Sequence, residues 1–433
     1  MEHHVPNLGT NRAYMCTRRT FLGWTAASLS APLAAQPTES PIIPSPALPE
    51  PKIVLPTDSV PREGPPKRIA AITTVYWKYS HADDIITKFI EGYAIVGRIH
   101  EPHCRVVSLY IEQFPDSDIG RGLAARYSIP IFKTPGETLT LGGKDLAVDG
   151  VLLVAEHGDY PTNEKGQTLY PRRELFEEIV KVFRATGKSV PVYNDKHLSY
   201  SWENARWMYE QSRALKFPMM AGSSVPVTWR RPPIELRLGT PLQAALSVGY
   251  AGIESYGFHG LEALQCLVER RQGGETGVRA VQALQGKAAL EAIRSGQSSL
   301  HLLDTALAAI PRRHGRREEA DRNPTVFLIE YADGLQAAVY MSNSHVAEFA
   351  AAIQPRGHRP VGTWFYLPKP QRDHFSFLCN HIEKMFLTGR PSYPVERTLL
   401  TTGMLAFLME SLHQKGRRIE THELSQIRYA VAP

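Results

Sequence analysis

Val148-Asp149-Gly150-Val151-Leu152-Leu153-Val154-Ala155 is an apolar run broken only by Asp149 and Gly150. It is too short for a typical helix and reads as a strand buried on both faces, as in a parallel sheet. Downstream, Leu175, Phe176, Ile179, Val180 and Phe183 recur at helical spacing over 172–186, and Gly187 supplies the stop. Ser189-Val-Pro-Val-Tyr193 is the next predicted strand, 201–215 the next helix and Phe217-Pro-Met-Met-Ala221 a further strand. Upstream, residues 68–75 and 105–111 read as strands, with helices over 81–93 and 120–127. Strand–helix alternation with short links predicts an α/β domain over 67–225, built on a doubly wound parallel sheet. Ligands of such sheets bind beyond the carboxyl ends of the strands.

After Pro226 the pattern changes. Residues 278–284 alternate as a strand, and 287–293 and 300–310 read as helices. Val326-Phe-Leu-Ile-Glu-Tyr331, the turn Asp333-Gly334 and Leu335-Gln-Ala-Ala-Val-Tyr340 form a hairpin signal, and 363–367 adds a strand. An α+β domain with a mainly antiparallel sheet is expected over 226–433, its C-terminal helices able to pack back on the first domain. The charged run 312–319 reads as a solvated loop.

The N-terminus reads as an address. Arg18-Arg19 precede an apolar stretch that ends in small residues near Ala35, too short to span a bilayer. This is the pattern of a twin-arginine signal peptide over 1–35, which implies engagement of the export machinery and a periplasmic or other extracytoplasmic location. Residues 36–66 hold ten prolines and read as an extended linker. The 433 residues carry 49 Lys+Arg against 43 Asp+Glu, a net +6. Removing 1–35 takes out Arg12, Arg18, Arg19 and Glu2 and leaves +4. No basic stripe interleaved with aromatics occurs, which argues against a nucleic-acid partner. Four cysteines without a C-x-x-C pair exclude a disulfide scaffold and a thiolate zinc knuckle.

The chemistry-bearing residues gather after the predicted strands. Thr73, Thr74, Lys78, Ser80 and His81 follow the first, and Glu156, His157, Asp159 and Tyr160 follow the run at 148–155. Asp195, Lys196 and His197 come after Tyr193, and Ser223 after Ala221. Such a set at successive strand ends points to a site.

Asp195-Lys196-His197-Leu198-Ser199, opening the helix after a strand, resembles the Glu-Lys-Pro-Leu-Ala/Ser motif of the Gfo/Idh/MocA family of glucose–fructose oxidoreductases and inositol dehydrogenases. Gly257-Phe258-His259-Gly260-Leu261-Glu262 is similar to that family's Asp-x-Gly-x-His-x-x-Asp segment, and 393–398 and 411–418 resemble its closing helix and turn. The resemblance spans about residues 67–430. It implies a Rossmann-like first domain and a second domain whose sheet covers the substrate cleft and makes homo-oligomer contacts. It also implies NAD or NADP as cofactor and a carbohydrate or polyol as substrate. Lys196 matches the lysine that polarises the reacting hydroxyl, His259 matches the acid/base histidine, and Asp195 joins them as a catalytic candidate. A lysine and a histidine suit these roles because both donate or accept protons near neutral pH when partly buried.

This chain departs from that pattern at the first turn. Ala71-Ile-Thr-Thr-Val-Tyr-Trp-Lys78 has no glycine where the family has Gly-x-Gly-x-x-Gly, and Tyr76 and Trp77 would block or reshape a pyrophosphate seat. Thr73, Thr74 and Lys78 are the candidates for phosphate contact there, and Glu112 for the ribose. Glu156, His157, Asp159, Tyr160, His197 and Glu262 are candidate substrate contacts. Glu156, His157 and Asp159 are also candidate ligands of a divalent metal. Three readings follow: an exported oxidoreductase on a sugar or cyclic polyol, a non-redox lyase, hydratase or isomerase on an oxidised sugar, and a non-catalytic sugar-binding protein.

Overall fold

The computed structural model describes residues 55–296, 299–369 and 372–431. The expected signal at 1–35 and the proline-rich segment up to residue 54 lie outside the described residues. Residues 55–66, assigned to the linker by their prolines, lie against the body. Leu55 is buried, and Thr57 hydrogen-bonds the buried Asn380 through its backbone N–H (3.1 Å) and its hydroxyl (3.2 Å).

The first half comprises β1 (Lys67–Thr73), α1 (His81–Glu91), the hairpin β2 (Tyr93–Ile95) and β3 (Arg98–His100), β4 (Cys104–Ile111), α2 (Gly120–Arg126), α3 (Pro135–Thr140), β5 (Gly150–Val154), α4 (Arg172–Thr186), β6 (Val192–Asp195), α5 (Trp202–Ala214) and β7 (Met219–Gly222). Its sheet is parallel throughout, in the order β4-β1-β5-β6-β7. Alternate residues of β1 serve opposite faces, as the pleat demands. Ile69 and Ala71 pack with Ile85 and Ile86 of α1, whereas Ala70 and Ile72 pack with α4 and α5. Strand order reverses between β1 and β5, which puts the ligand crevice of such sheets at their carboxyl ends.

Two local expectations change. Pro191 has no N–H to donate, so the ladder of the strand expected at 189–193 starts at Val192; pairing with β5 and β7 then carries it through Asn194 and Asp195. The helix expected at 201–215 runs over Trp202–Ala214, where the Ser201 hydroxyl accepts the Asn204 N–H at 3.2 Å; residues 196–200, likened to a helix opening, form the link before it.

The second half contains β8 (Trp229–Arg231), β9 (Leu242–Tyr250), α6 (Gly257–Val268), β10 (Val278–Gln285), α7 (Gly286–Ser295), α8 (Ser299–Ala309), α9 (Arg317–Ala320), β11 (Thr325–Tyr331), β12 (Gln336–Ser342), β13 (Phe349–Pro355), β14 (Val361–Tyr366), α10 (His374–Thr388), α11 (Val395–His413) and β15 (Ile419–Glu420). The eight strands run β15-β10-β11-β12-β9-β13-β14-β8, antiparallel except for the β12–β9 pair. One face packs on α6 and α11 through Ala245, Val339 and Ala351. The other is covered by α7 and α8 against Leu246, Val248, Tyr340 and Ala352, so its apolar contacts are made within the chain. Helix α10 returns to the first sheet, where Phe375, Leu378, Ile382 and Phe386 join the core of β1 and α1. No helix among the described residues is long and apolar enough to cross a membrane.

Candidate active site

Four strand ends and one helix start supply the site. His81 is the first residue of α1, after β1; Glu156 and His157 follow β5; Asp195 ends β6 and Lys196 leaves it; Ser223 follows β7; His259 is the third residue of α6. Lys196 and His157 adopt positive φ (64° and 68°), a backbone region sparsely used by side chains other than glycine. Strain of that kind gathers where the surrounding fold over-determines a functional position.

Lys196 is buried and its Nζ donates to the Ser255 carbonyl at 3.0 Å and to His259 Nε2 at 3.0 Å. Nζ lies 3.4 Å from Glu156 Oε1, while the other oxygen of that carboxylate pairs with the Arg172 guanidinium. Burial opposes ionisation of Glu156, but the charges of Lys196 and Arg172 outweigh it and hold the carboxyl far below its ordinary value. Burial, with the adjacent Lys196 charge, holds the His259 imidazole well below its usual range, so the ring is neutral. Because Nε2 accepts from the ammonium, Nδ1 carries the proton and donates to Ser223 Oγ at 2.6 Å. That oxygen also accepts the Val225 N–H at 3.0 Å. The tautomer of His259 is thus set from the far side of the ring, and its lone pair points to the lysine.

Asp195, a catalytic candidate, pairs with the histidine that opens α1. Its carboxylate accepts from His81 Nδ1 at 2.6 Å, so His81 reaches from the β1 side over the end of β5 to β6. The His81 ring packs edge-on against His157 (5.3 Å between centroids) and Phe375 (5.2 Å), and Trp77 stands 5.5 Å from His157. Burial and the neighbouring His81 push the His157 pKa down to about 4. Tyr256 lines the other side, 5.9 Å from Lys196 Nζ and edge-on to His259.

Several candidates take structural positions. His197 is buried and bonded to Glu254 at 2.8 Å; burial and then Arg172 lower its pKa, leaving a neutral ring that holds the turn after β6. Glu262 is fully buried, accepts from the Thr401 hydroxyl at 2.6 Å and is raised to about 7 by burial, out of reach of a substrate. Tyr160 donates to Glu112, and Gln113 makes a reciprocal pair with the Asp159 backbone (2.9 and 3.2 Å), so the loop after β5 is tied across the end of β4. Asp159 stands exposed beside that tie. The metal candidates do not converge: no cluster of three His, Cys, Asp or Glu side chains suited to a metal occurs among the described residues, and Glu156 already faces two cations.

The β1–α1 turn does not form a glycine-type dinucleotide seat. Thr73 and Thr74 are buried and spend their hydroxyl protons on the carbonyls of Val75, Val154, Glu156 and His157. Tyr76 is in the core under α1. The helix N-terminus, the usual anion seat, is capped by Ser80 and bears Asp83 and Asp84, while the exposed Lys78 pairs with Asp83 at 3.0 Å. Glu112, the ribose candidate, is committed to Tyr160. A cavity of about 290 Å³ beside α1 is lined by Lys78, Tyr79, Asp83, Asp84, Lys88 and Arg372 among others, and includes none of the Lys196–His259 network.

His81 and Ser223 belonged to the strand-end set read from the sequence, but neither was given a catalytic or binding role there. Arg172 opens a helix like many surface arginines and gave no signal.

No protein-family model matches the chain, and no curated protein matches its sequence. Solved structures do match its shape. GenD2 from gentamicin A biosynthesis, solved in complex with NAD, is 14% identical with a TM-score of 0.52 over 84% of this chain and 99% of its own. The fold is that of the Gfo/Idh/MocA dehydrogenases. Myo-inositol 2-dehydrogenase from Lactobacillus plantarum aligns at 11% identity and TM-score 0.50, covering 82% of this chain and 99% of its own. Myo-inositol dehydrogenase from Corynebacterium glutamicum ATCC 13032 aligns at 11% and 0.50, covering 82% and 98%. The Rossmann-like domain followed by a largely antiparallel sheet is the arrangement expected from the sequence.

Proposed function

We propose that the chain is an exported oxidoreductase-type enzyme acting on a sugar or cyclic polyol, in which Lys196 and His259 handle the proton of the reacting oxygen. The observation that carries it is the 3.0 Å contact of Lys196 Nζ with His259 Nε2 at the carboxyl ends of the strands. A substrate hydroxyl inserted between the two accepts a hydrogen bond from the ammonium, which stabilises developing negative charge, and donates its proton to Nε2. Ser223 and the Val225 N–H hold the ring in the tautomer that can accept it. Glu156 and Arg172 anchor the lysine from behind. In the reverse direction the imidazolium returns the proton. A nicotinamide would supply the hydride acceptor, but the residues of the β1–α1 turn do not fit its usual seat.

The test is turnover of sugars and cyclic polyols, and of their keto derivatives, followed by NMR of products. Lys196→Ala and His259→Asn are each expected to lower turnover by about 10²–10⁴-fold with the melting temperature within a few degrees. Full activity in either variant would remove the pair from the mechanism.

A second reading, non-redox chemistry on an oxidised sugar, is favoured by the glycine-free, capped turn. Calorimetric titration with NAD and NADP separates the two: saturable binding supports the redox reading, and none at millimolar cofactor supports the second. Tight binding of an intact sugar without turnover of any probe would indicate the non-catalytic protein. Export is proposed on the Arg18-Arg19 segment, and retention of precursor on Arg18→Lys/Arg19→Lys substitution is the expected result.

A further inference from the structure

Beside the Lys196–His259 pair stands a second acid–base pair which that mechanism leaves unused. Asp195 and Lys196 are consecutive, and the end of β6 sends them to opposite partners: Asp195 to His81, Lys196 to His259 and Glu156. His81 crosses the end of β5 to reach β6, and Lys196 reaches back to Glu156 at the end of β5. Both functional groups therefore converge over one strand end, in the crevice where strand order reverses. The buried Asp195 fixes His81 with Nδ1 donating, which leaves the Nε2 lone pair free to take a proton. No side chain among the described residues bonds that nitrogen, and the His81 side chain keeps 11% of its surface exposed. His157 and Phe375 flank the ring edge-on, and Trp77 stands on His157. The arrangement has the parts of an oriented general base, a carboxylate holding an imidazole in one tautomer.

We propose that His81, positioned by Asp195, is the base for the carbon next to the oxygen that Lys196 binds, and that the site enolises a keto-sugar or keto-polyol. This rests on the reading that Lys196 holds a sugar oxygen. The ketone oxygen accepts from Lys196 Nζ, displacing one of its present contacts. His81 Nε2 takes the proton from the adjacent carbon; the C–H pair becomes the new C=C bond, and the carbonyl π pair moves to oxygen as an enolate beside the ammonium. The imidazolium of His81 then returns a proton to the same face of the carbon, giving back the ketone; in D2O, exchange at the imidazolium before that return leaves deuterium on the carbon. Nothing is oxidised or reduced, and no further reactant is needed.

The test uses the full chain in D2O with 2-keto-myo-inositol and 3-keto-glucose as probes, following loss of the α-proton signals by ¹H NMR. Wild-type protein is expected to exchange them faster than buffer. His81→Asn, whose amide can keep the bond to Asp195, is expected to lose at least about 100-fold of that rate. Asp195→Asn should lower the rate at saturating ketone and leave the half-saturating concentration unchanged, a split that a purely structural role would not produce. Deuterium at the α-carbon should slow the wild-type reaction, which reads the C–H step without any variant. Exchange undiminished in His81→Asn, or no catalysed exchange of either ketone, overturns the proposal. Lys196-dependent oxidation of a polyol without ketone exchange would sink this inference and leave the oxidoreductase reading standing; exchange without saturable NAD or NADP binding would do the reverse.

Discussion

Glu262 shows how one residue type at a matching position can hold a different role. The resemblance of its segment to the family motif marked it as a candidate substrate contact, but its side chain lies beneath the end of β7, bonded to Thr401, and burial raises its pKa to about 7. Between the ordinary carboxyl value and pH 7 the unfolded chain releases a proton that the folded chain keeps, so this residue makes stability fall as pH rises through that window. The contribution is on the order of 3 kcal/mol by pH 8. Glu262→Gln is therefore expected to flatten the dependence of melting temperature on pH between 5 and 8, and to be the more stable protein at pH 8. Parallel slopes for variant and wild type would refute this. Lys196 and His259 were legible because their segments resemble the Gfo/Idh/MocA motifs, and Lys196 also because a cation just after a strand end is unusual. Arg172 was not, since its importance lies only in what it touches.

At the scale of elements, the turns after the strands decide more than the strands do. Gly222 closes β7 with φ 120°, and a Cβ there would stand 2.7 Å from both Glu262 Oε2 and Thr398 Oγ. Gly222→Ala is expected to cost about 2 kcal/mol or more and, by moving Ser223 off His259, to lower turnover beyond what the lost stability explains; denaturant melts and rates at saturating substrate check both. Helix α4 fell where its apolar spacing put it, and α1 within two residues, because each carries a clear periodic face and a glycine stop. The central strand β9 did not announce itself. Its Leu-Gln-Ala-Ala-Leu-Ser-Val-Gly-Tyr is poor in β-branched residues, and the reason is packing: α6 approaches so closely that Ser247 donates to the Gly260 carbonyl at 2.8 Å, while α8 covers the opposite face. Small residues are needed there, and small residues carry little strand signal.

At the scale of the whole molecule, the two halves share their cores. Phe375, Leu378, Ile382, Met385 and Phe386 of α10 complete the face of the first sheet that α1 begins, and Gly150 has no room for a Cβ because the Phe386 ring would lie 2.7 Å away. Residues 55–228 alone would expose that apolar face, so this fragment is expected to lack a cooperative melt and to gain one when residues 372–431 are supplied in trans. Cooperative unfolding of the fragment by itself would show that α10 is dispensable. The sequence alone determined the strand–helix alternation of the first half, the change to a largely antiparallel sheet in the second, and the segments holding the reactive residues, because hydrophobic period and turn chemistry are local. Only the tertiary structure decided which reactive residues meet. Asp195 turns to His81 rather than to Lys196, Glu112 is taken by Tyr160, and Glu262 is sealed inside, because those distances are set by the packing of strands and helices far apart in the chain.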